Sequence, residues 1–403
     1  MDEAALNKIP EGRMFMYNFD KVIKRTGTDS YKWDMIAKKY KRDDLLPMWI
    51  ADMDFEIAPE ITQAVKKRAD HMTYGYTYPS ESFFDSIIKW NEKRYSYHVE
   101  REWLNVSIGV VPSIKAAIYG FTRKGEKILI QTPVYPPFHQ SVIQAERELV
   151  TNPLTFDGEK YNIDFEDFEN KIKTGVKLFI LSNPHNPLGR VWTKDELSKM
   201  ADICYEHNVK ILSDEIHSDI VFKGYKHRVM NSVSNNAKNI SIVCQAPSKT
   251  FNIPGLSTSF VIVENEVLRK RMWDSMAAIG INSVNLFGIV AGEAAYTHGE
   301  KWLDEMLLYV EENADYVIDY INEKLPKIKT YKPQATYLMW LDFRNYGLSH
   351  NDLINKLIQE AGVVFNSGTD FGEAGNGFFR LNIGCPRELI KECLDRIYEV
   401  FKD

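Results

Sequence analysis

Cysteine is scarce. Only Cys204, Cys244, Cys385 and Cys393 occur in 403 residues, with no close pair of the kind that holds a metal. So few thiols exclude a disulfide-stapled scaffold and a thiolate zinc site, and leave four reduced packing residues. No metal is expected. Also lacking is any apolar run of the roughly 18 to 20 residues that a membrane span needs, and the opening MDEAALNKIPEGR has no signal-peptide core. The chain is therefore expected to be cytoplasmic, with no membrane partner. Nor is there a basic excess: 50 Lys plus Arg stand against 56 Asp plus Glu, a net charge of −6. Nothing then drives counterion release from phosphates, and nucleic acid is not expected as a partner. Finally, no Pro/Gly/Ser-rich linker, repeat or low-complexity tract divides the chain. The two or three domains implied by its length must be interleaved.

What is present is the composition of a globular protein, 44% apolar and 26% charged, with 12% aromatic residues as the one excess. Short apolar runs alternate with amphipathic helical patterns through the middle of the chain. Candidate strands are 105–108, 127–131, 178–182, 209–213, 240–244 and 260–263. This alternation predicts an α/β fold with a mostly parallel central sheet covered by helices. Thr193-Lys194-Asp195-Glu196 reads as a capping box opening a helix that ends near His207. A long helix over about 301–325 leads into a smaller α+β unit, with strands near 337–342 and 378–383 and a last helix over 386–401. The expected division is a large domain over 56–300, and a small one made of an irregular arm, 1–55, together with 301–403.

Ligands of open parallel sheets bind beyond the carboxyl ends of the strands, so the residues that follow each strand matter most. After the first comes Gly109-Val110-Val111-Pro112, a glycine turn into a helix whose free N–H groups suit a phosphate. After the second, Thr132-Pro133-Val134-Tyr135-Pro136-Pro137 presents Tyr135 on a rigid turn. The third leads to Asn183-Pro184-His185-Asn186-Pro187-Leu188-Gly189-Arg190, where Asn186 can donate to an acidic oxygen and His185 reads as structural. Asp214 ends the fourth, and Lys249 follows the fifth in Pro247-Ser248-Lys249-Thr250. Taken singly these have plainer readings: a surface tyrosine, a common helix start, an Asp–Lys ion pair. Together, a phosphate cradle, an aromatic plate, an amide, an acid and a lysine on one sheet edge suit pyridoxal 5'-phosphate (PLP), with Lys249 as the Schiff-base lysine.

In their order and spacing, NPHNPLGR, SDEIHSD and APSKTFNIPGL resemble fold-type I, aspartate aminotransferase-like PLP enzymes; Asn186 to Asp214 is 28 positions and Asp214 to Lys249 is 35. Tyr17-Asn18-Phe19-Asp20, LPMWIADMDF, Tyr74-Gly75-Tyr76 and GVVFNSGTDFGEAGNGFFRLNIGCPR resemble more narrowly the MalY/PatB-type branch, the cystathionine or cysteine-S-conjugate β-lyases. The resemblance implies cofactor contacts by Lys249, Asp214, Asn186, Tyr135, Val110, Val111, Ser248 and His217, with Lys249, Asp214 and Tyr135 catalytic. It makes Arg380 the grip on the α-carboxylate of an amino-acid substrate, a task that suits a bidentate fork. It makes Tyr76 a reach to the phosphate in a neighbouring subunit, hence a homodimer with shared active sites. Two positions depart from the broader pattern: Ala246 stands where many relatives carry serine, and Ser257 where many carry arginine. The implied reaction is β-elimination, releasing a thiol, pyruvate and ammonia. Transamination is the alternative, and a second, regulatory protein-binding role is a further one.

Overall fold

The computed structural model describes residues 15–281 and 283–402. Seven strands form the main sheet: β1 (Leu104–Ser107), β2 (Lys127–Thr132), β3 (Glu148–Pro153), β4 (Val176–Ser182), β5 (Lys210–Asp214), β6 (Ser241–Gln245) and β7 (Ser259–Ile262). Their order is β1-β7-β6-β5-β4-β2-β3. All neighbours are parallel except at β7, which runs antiparallel to both β1 and β6. The α/β expectation holds, and the strands fall within two residues of their expected bounds. β3 was not anticipated. It is an outer strand whose ELVTNP sequence is mostly half-exposed, so it carries no continuous apolar run.

The central strands are largely apolar because both of their faces are covered. In β2, Ile128 and Ile130 join one buried cluster while Leu129 joins the other; in β4, Leu178 and Ile180 face one way and Phe179 and Leu181 the other. This is the two-residue period of a strand with helices on either side. The register aligns Ser182 with Asp214 and Asp214 with Cys244, which brings three strand ends level. The cysteines are buried and unpaired.

The capping box is present: Thr193 accepts from the Glu196 N–H, and the Glu196 carboxylate accepts from the Thr193 N–H. The long helix spans Glu300–Lys324. Beyond it, β8 (Leu338–Asp342), β9 (Asn366–Ser367) and β10 (Phe378–Asn382) make an antiparallel sheet in the order β8-β10-β9. The arm is less irregular than expected. It contains the helix Asp34–Tyr40, which is too short and too poor in apolar residues to show periodicity, with Ile36 alone fully buried. Leu46–Pro47 pairs in parallel with Val363–Val364, and Phe19 packs its ring against Phe55, Trp302 and Tyr309. Part of the aromatic excess is thus spent where the arm meets the long helix.

Residues 46–55 then cross between the two sheets. Asn382 Nδ2 donates to the Ile50 and Asp52 carbonyls, and Asn252 Nδ2 donates to those of Met53 and Phe55. No described helix is long and apolar enough to cross a membrane.

Candidate active site

A cavity of about 260 Å3 lies at the carboxyl ends of the central strands. Lys249, Asp214, Tyr135, Asn186, Val110, Val111, Ser248, His217 and Arg380 all line it. Tyr76 does not; its side chain is fully exposed. At the rim, Gly109 has a φ of 151°, a turn that favours glycine, and opens the helix Val110–Phe121, whose first residues Val110 and Val111 line the cavity. Ser257 and Thr258 line the same cavity. Position 257, a departure in sequence, is therefore still at the site, with a hydroxyl in place of a guanidinium.

Asp214 is the last residue of β5, and its Oδ1 accepts from the Ile216 N–H at 3.1 Å. Burial pushes its carboxyl up to about 7, against that hydrogen bond, with Glu215 raising it further and Lys249 opposing. Lys249 sits on the short helix Pro247–Thr250, and its Nζ donates to the Ala51 carbonyl at 2.6 Å. Burial brings its ammonium down to about 8, with Asp52 and Asp214 pulling it upward and Arg380 pushing it down. His217 is neutral: burial lowers it to about 3, with the Lys249 and Arg380 cations adding to the shift. Burial likewise raises the Tyr135 phenol.

Arg380 stands in the middle of β10, opposite Asn366 in register. Its guanidinium donates to Asn186 Oδ1 at 2.8 Å, Asn366 Oδ1 at 2.6 Å and the Trp49 carbonyl at 3.1 Å. Those acceptors are all neutral, while the side chain is only 3% exposed and its Nε has no partner among the described residues. Burial lowers its pKa to about 10. A buried cation without an anion is costly, and it fits a site whose anion arrives with a ligand. The unpartnered His217 Nδ1 and the available Asp214 carboxylate fit, in the same way, a flat heteroaromatic cofactor with a protonated ring nitrogen and polar substituents.

Several contributors were not evident from sequence. The Ala51 carbonyl holds Lys249 Nζ and also accepts from Tyr337 OH at 3.2 Å. The LPMWIADMDF motif signalled its importance, but not that a backbone oxygen would be the working group. Asp219, buried beneath the site, accepts from Trp90 Nε1 at 2.9 Å, from Tyr95 OH, and from Thr250 Oγ1 at 2.9 Å. Thr250 is the neighbour of Lys249, so Asp219 anchors the lysine's helix. Asp219→Asn would turn one of two acceptor oxygens into a donor facing donors. Its expected cost is about 1–3 kcal/mol of stability. A denaturation midpoint equal to that of the parent protein would exclude this anchoring role.

The fold and the strand-end site define a PLP-type α/β enzyme, and sequence comparison agrees. The chain belongs to the aminotransferase class I and II family, whose family model matches residues 43–397. It is 42% identical over 381 residues to cystathionine β-lyase PatB of Bacillus subtilis (strain 168), covering 94% of this chain and 98% of that one. Among solved structures, a PLP-bound protein from Clostridium difficile 630, described as a candidate aminotransferase, superposes with a TM-score of 0.93 at 48% identity over 96% of this chain and 100% of that one. Cystalysin from Treponema denticola, with its pyridoxal 5'-phosphate, superposes at a TM-score of 0.94 and 34% identity, again over 96% and 100%.

Proposed function

We propose that this protein is a PLP-dependent carbon–sulfur β-lyase that cleaves cystathionine or another cysteine S-conjugate to a thiol, pyruvate and ammonia. The observation that carries the reading is the meeting, in one cavity, of an amine lowered to about 8, a strand-end carboxylate and a buried guanidinium with no anionic partner. The relatedness to PatB points the same way.

When bound, PLP supplies an electron sink for the negative charge that develops at the substrate Cα. Asp214 holds the proton on its ring nitrogen, Asn186 and Tyr135 orient the ring, and the helix start at Val110 and Val111 with Ser248, Ser257 and Thr258 receives the phosphate. Arg380 grips the α-carboxylate, with Asn186 and Asn366 fixing the fork. Lys249, whose lowered pKa leaves a usable neutral fraction near neutrality, moves the Cα proton. A second copy of the chain completes the site in this reading: Met72, Tyr74, Tyr76 and Tyr78 form an exposed apolar stretch outside the cavity. A monomeric mass on sedimentation of the holoenzyme would sink that part. The same reading assigns 56–300 to a cofactor-binding domain, and 1–55 with 301–403 to a smaller one.

The deciding experiment is incubation with cystathionine. Stoichiometric pyruvate and thiol support the lyase; a keto acid formed only with an amino acceptor supports transamination, which the description of the Clostridium neighbour favours.

A pH effect follows for the cofactor-free protein. The Asp214 carboxyl stands at about 7 when folded, above its unfolded value of about 3.9. Between those pH values the unfolded chain releases a proton that the folded one keeps, so folding stability falls as pH rises from about 4 to 7 and then levels off. The cost is a few kcal/mol at most, and Asp214→Asn removes it. Denaturation midpoints of both cofactor-free proteins should therefore diverge across that window, and parallel curves would refute the shift.

A further inference from the structure

Three successive carbonyls of the segment that crosses between the sheets each take two donors. Ile50, Ala51 and Asp52 form a tight three-residue turn, in which the Asp52 N–H donates to the Ile50 carbonyl at 2.8 Å. The central carbonyl, that of Ala51, lies outside the turn's own hydrogen bond. Asn382 Nδ2 reaches the outer two, Ile50 at 2.7 Å and Asp52 at 2.9 Å, and Lys32 Nζ meets the Asp52 carbonyl at 3.0 Å. The Ala51 carbonyl takes Lys249 Nζ at 2.6 Å and Tyr337 OH at 3.2 Å. A carbonyl oxygen has two lone pairs, so all three are filled.

Asn382 is fully buried and is itself held fast. Its Oδ1 accepts from the Gly384 N–H at 2.8 Å, and its backbone N–H donates to the Met48 carbonyl at 3.0 Å. It stands two residues after Arg380 on β10 and so on the same face, where Arg380 donates to the Trp49 carbonyl. The packing leaves no slack: a Cβ on Gly384 would come within 2.7 Å of Met53 Cγ. Asn382 does not line the cavity, yet its two N–H groups fix the peptides on either side of the carbonyl that meets Lys249.

We infer that Asn382 is a positioning residue for Lys249: by clamping the turn at Ile50 and Asp52 it aims the Ala51 carbonyl, which seats the free lysine amine where it can move the Cα proton. The inference rests on the reading of Lys249 as the amine that moves that proton, and it holds for elimination and transamination alike. A base displaced by about 1 Å can lose as much as 10^2-fold in rate, so a rigid seat for a long, flexible side chain has a direct effect on the chemistry.

The test is Asn382→Leu, which keeps the side-chain volume and removes its donors and acceptor. In the cofactor-free protein, acetylation of Lys249 is followed against pH by peptide mass. The midpoint should lie near 8 in the parent and at about 7 or below in the variant, because the hydrogen bond to the seat favours the ammonium. Asp52 moves with the turn and adds to that fall. Asp214 and Arg380, the other charges facing Lys249, sit on β5 and β10, and His217 is neutral. In the holoenzyme, kcat for pyruvate release from cystathionine on the pH plateau should fall about ten-fold, with KM within about two-fold of the parent. Should Asn382→Leu not fold, Asn382→Ser, which keeps one hydroxyl donor, is scored in the same way. A lower thermal midpoint with an unmoved lysine midpoint would make Asn382 a purely structural tie between arm and sheet, and would overturn the inference, as would a plateau kcat equal to that of the parent. If the parent enzyme releases no pyruvate, the lyase reading fails separately, and the lysine midpoint still decides the role of Asn382.

Discussion

Lys249→Ala should lower kcat/KM for cysteine S-conjugates by up to ~10^4-fold, because it removes both the covalent tether and the base that moves the Cα proton. The fold should survive. Lys249 makes one hydrogen bond, to the Ala51 carbonyl, and that oxygen keeps the Tyr337 hydroxyl as a second donor. Truncating the lysine also deletes an ammonium that burial already disfavours, so the thermal midpoint should hold or rise. Two measurements check this: single-turnover pyruvate release, and the cofactor absorbance of the purified protein, which should lose the band of the lysine-bound form. Activity within ten-fold of the parent would remove Lys249 from the chemistry.

The second large effect is expected at Arg380. Arg380→Met leaves the substrate carboxylate buried without a counterion, and breaking such a pair costs about 3–5 kcal/mol, on the order of 10^2- to 5 × 10^3-fold in kcat/KM. Stability should respond far less, because the groups left behind are neutral: the amide oxygens of Asn186 and Asn366 and the Trp49 carbonyl. The contrast is the informative part. Were Arg380 an ordinary structural ion-pair member, its removal would orphan a buried carboxylate and the thermal midpoint would drop sharply. A large loss of stability with unaltered kcat/KM would reverse its assignment.

Much of the site was legible because a parallel sheet places its chemistry by rule. Asp214 ends a strand, Asn186, Tyr135 and the Val110 helix start each follow one, and the register of β4, β5 and β6 brings those three strand ends level. Lys249 enters by the same rule, one short turn after β6. Edge strand β3 and the helix Asp34–Tyr40 were not legible, because neither carries enough buried residues to impose a period on its sequence. Tyr76 shows a different limit. In one chain it is exposed and lies outside the cavity.

By itself, then, the sequence determined the α/β class, the strand-end residues and the family, since these depend on local periodicity and on motifs that stay contiguous. Only the tertiary structure decided that the Ala51 carbonyl, 198 positions away, holds the reactive lysine, and that Arg380 lies among neutral acceptors. It also decided that Arg25 and Asp52 line a second cleft, which shares Ile50, Ala51, Lys249 and Pro254 with the site. Whether a buried charge is compensated depends on which distant backbone and side-chain groups surround it, and local pattern carries no record of that.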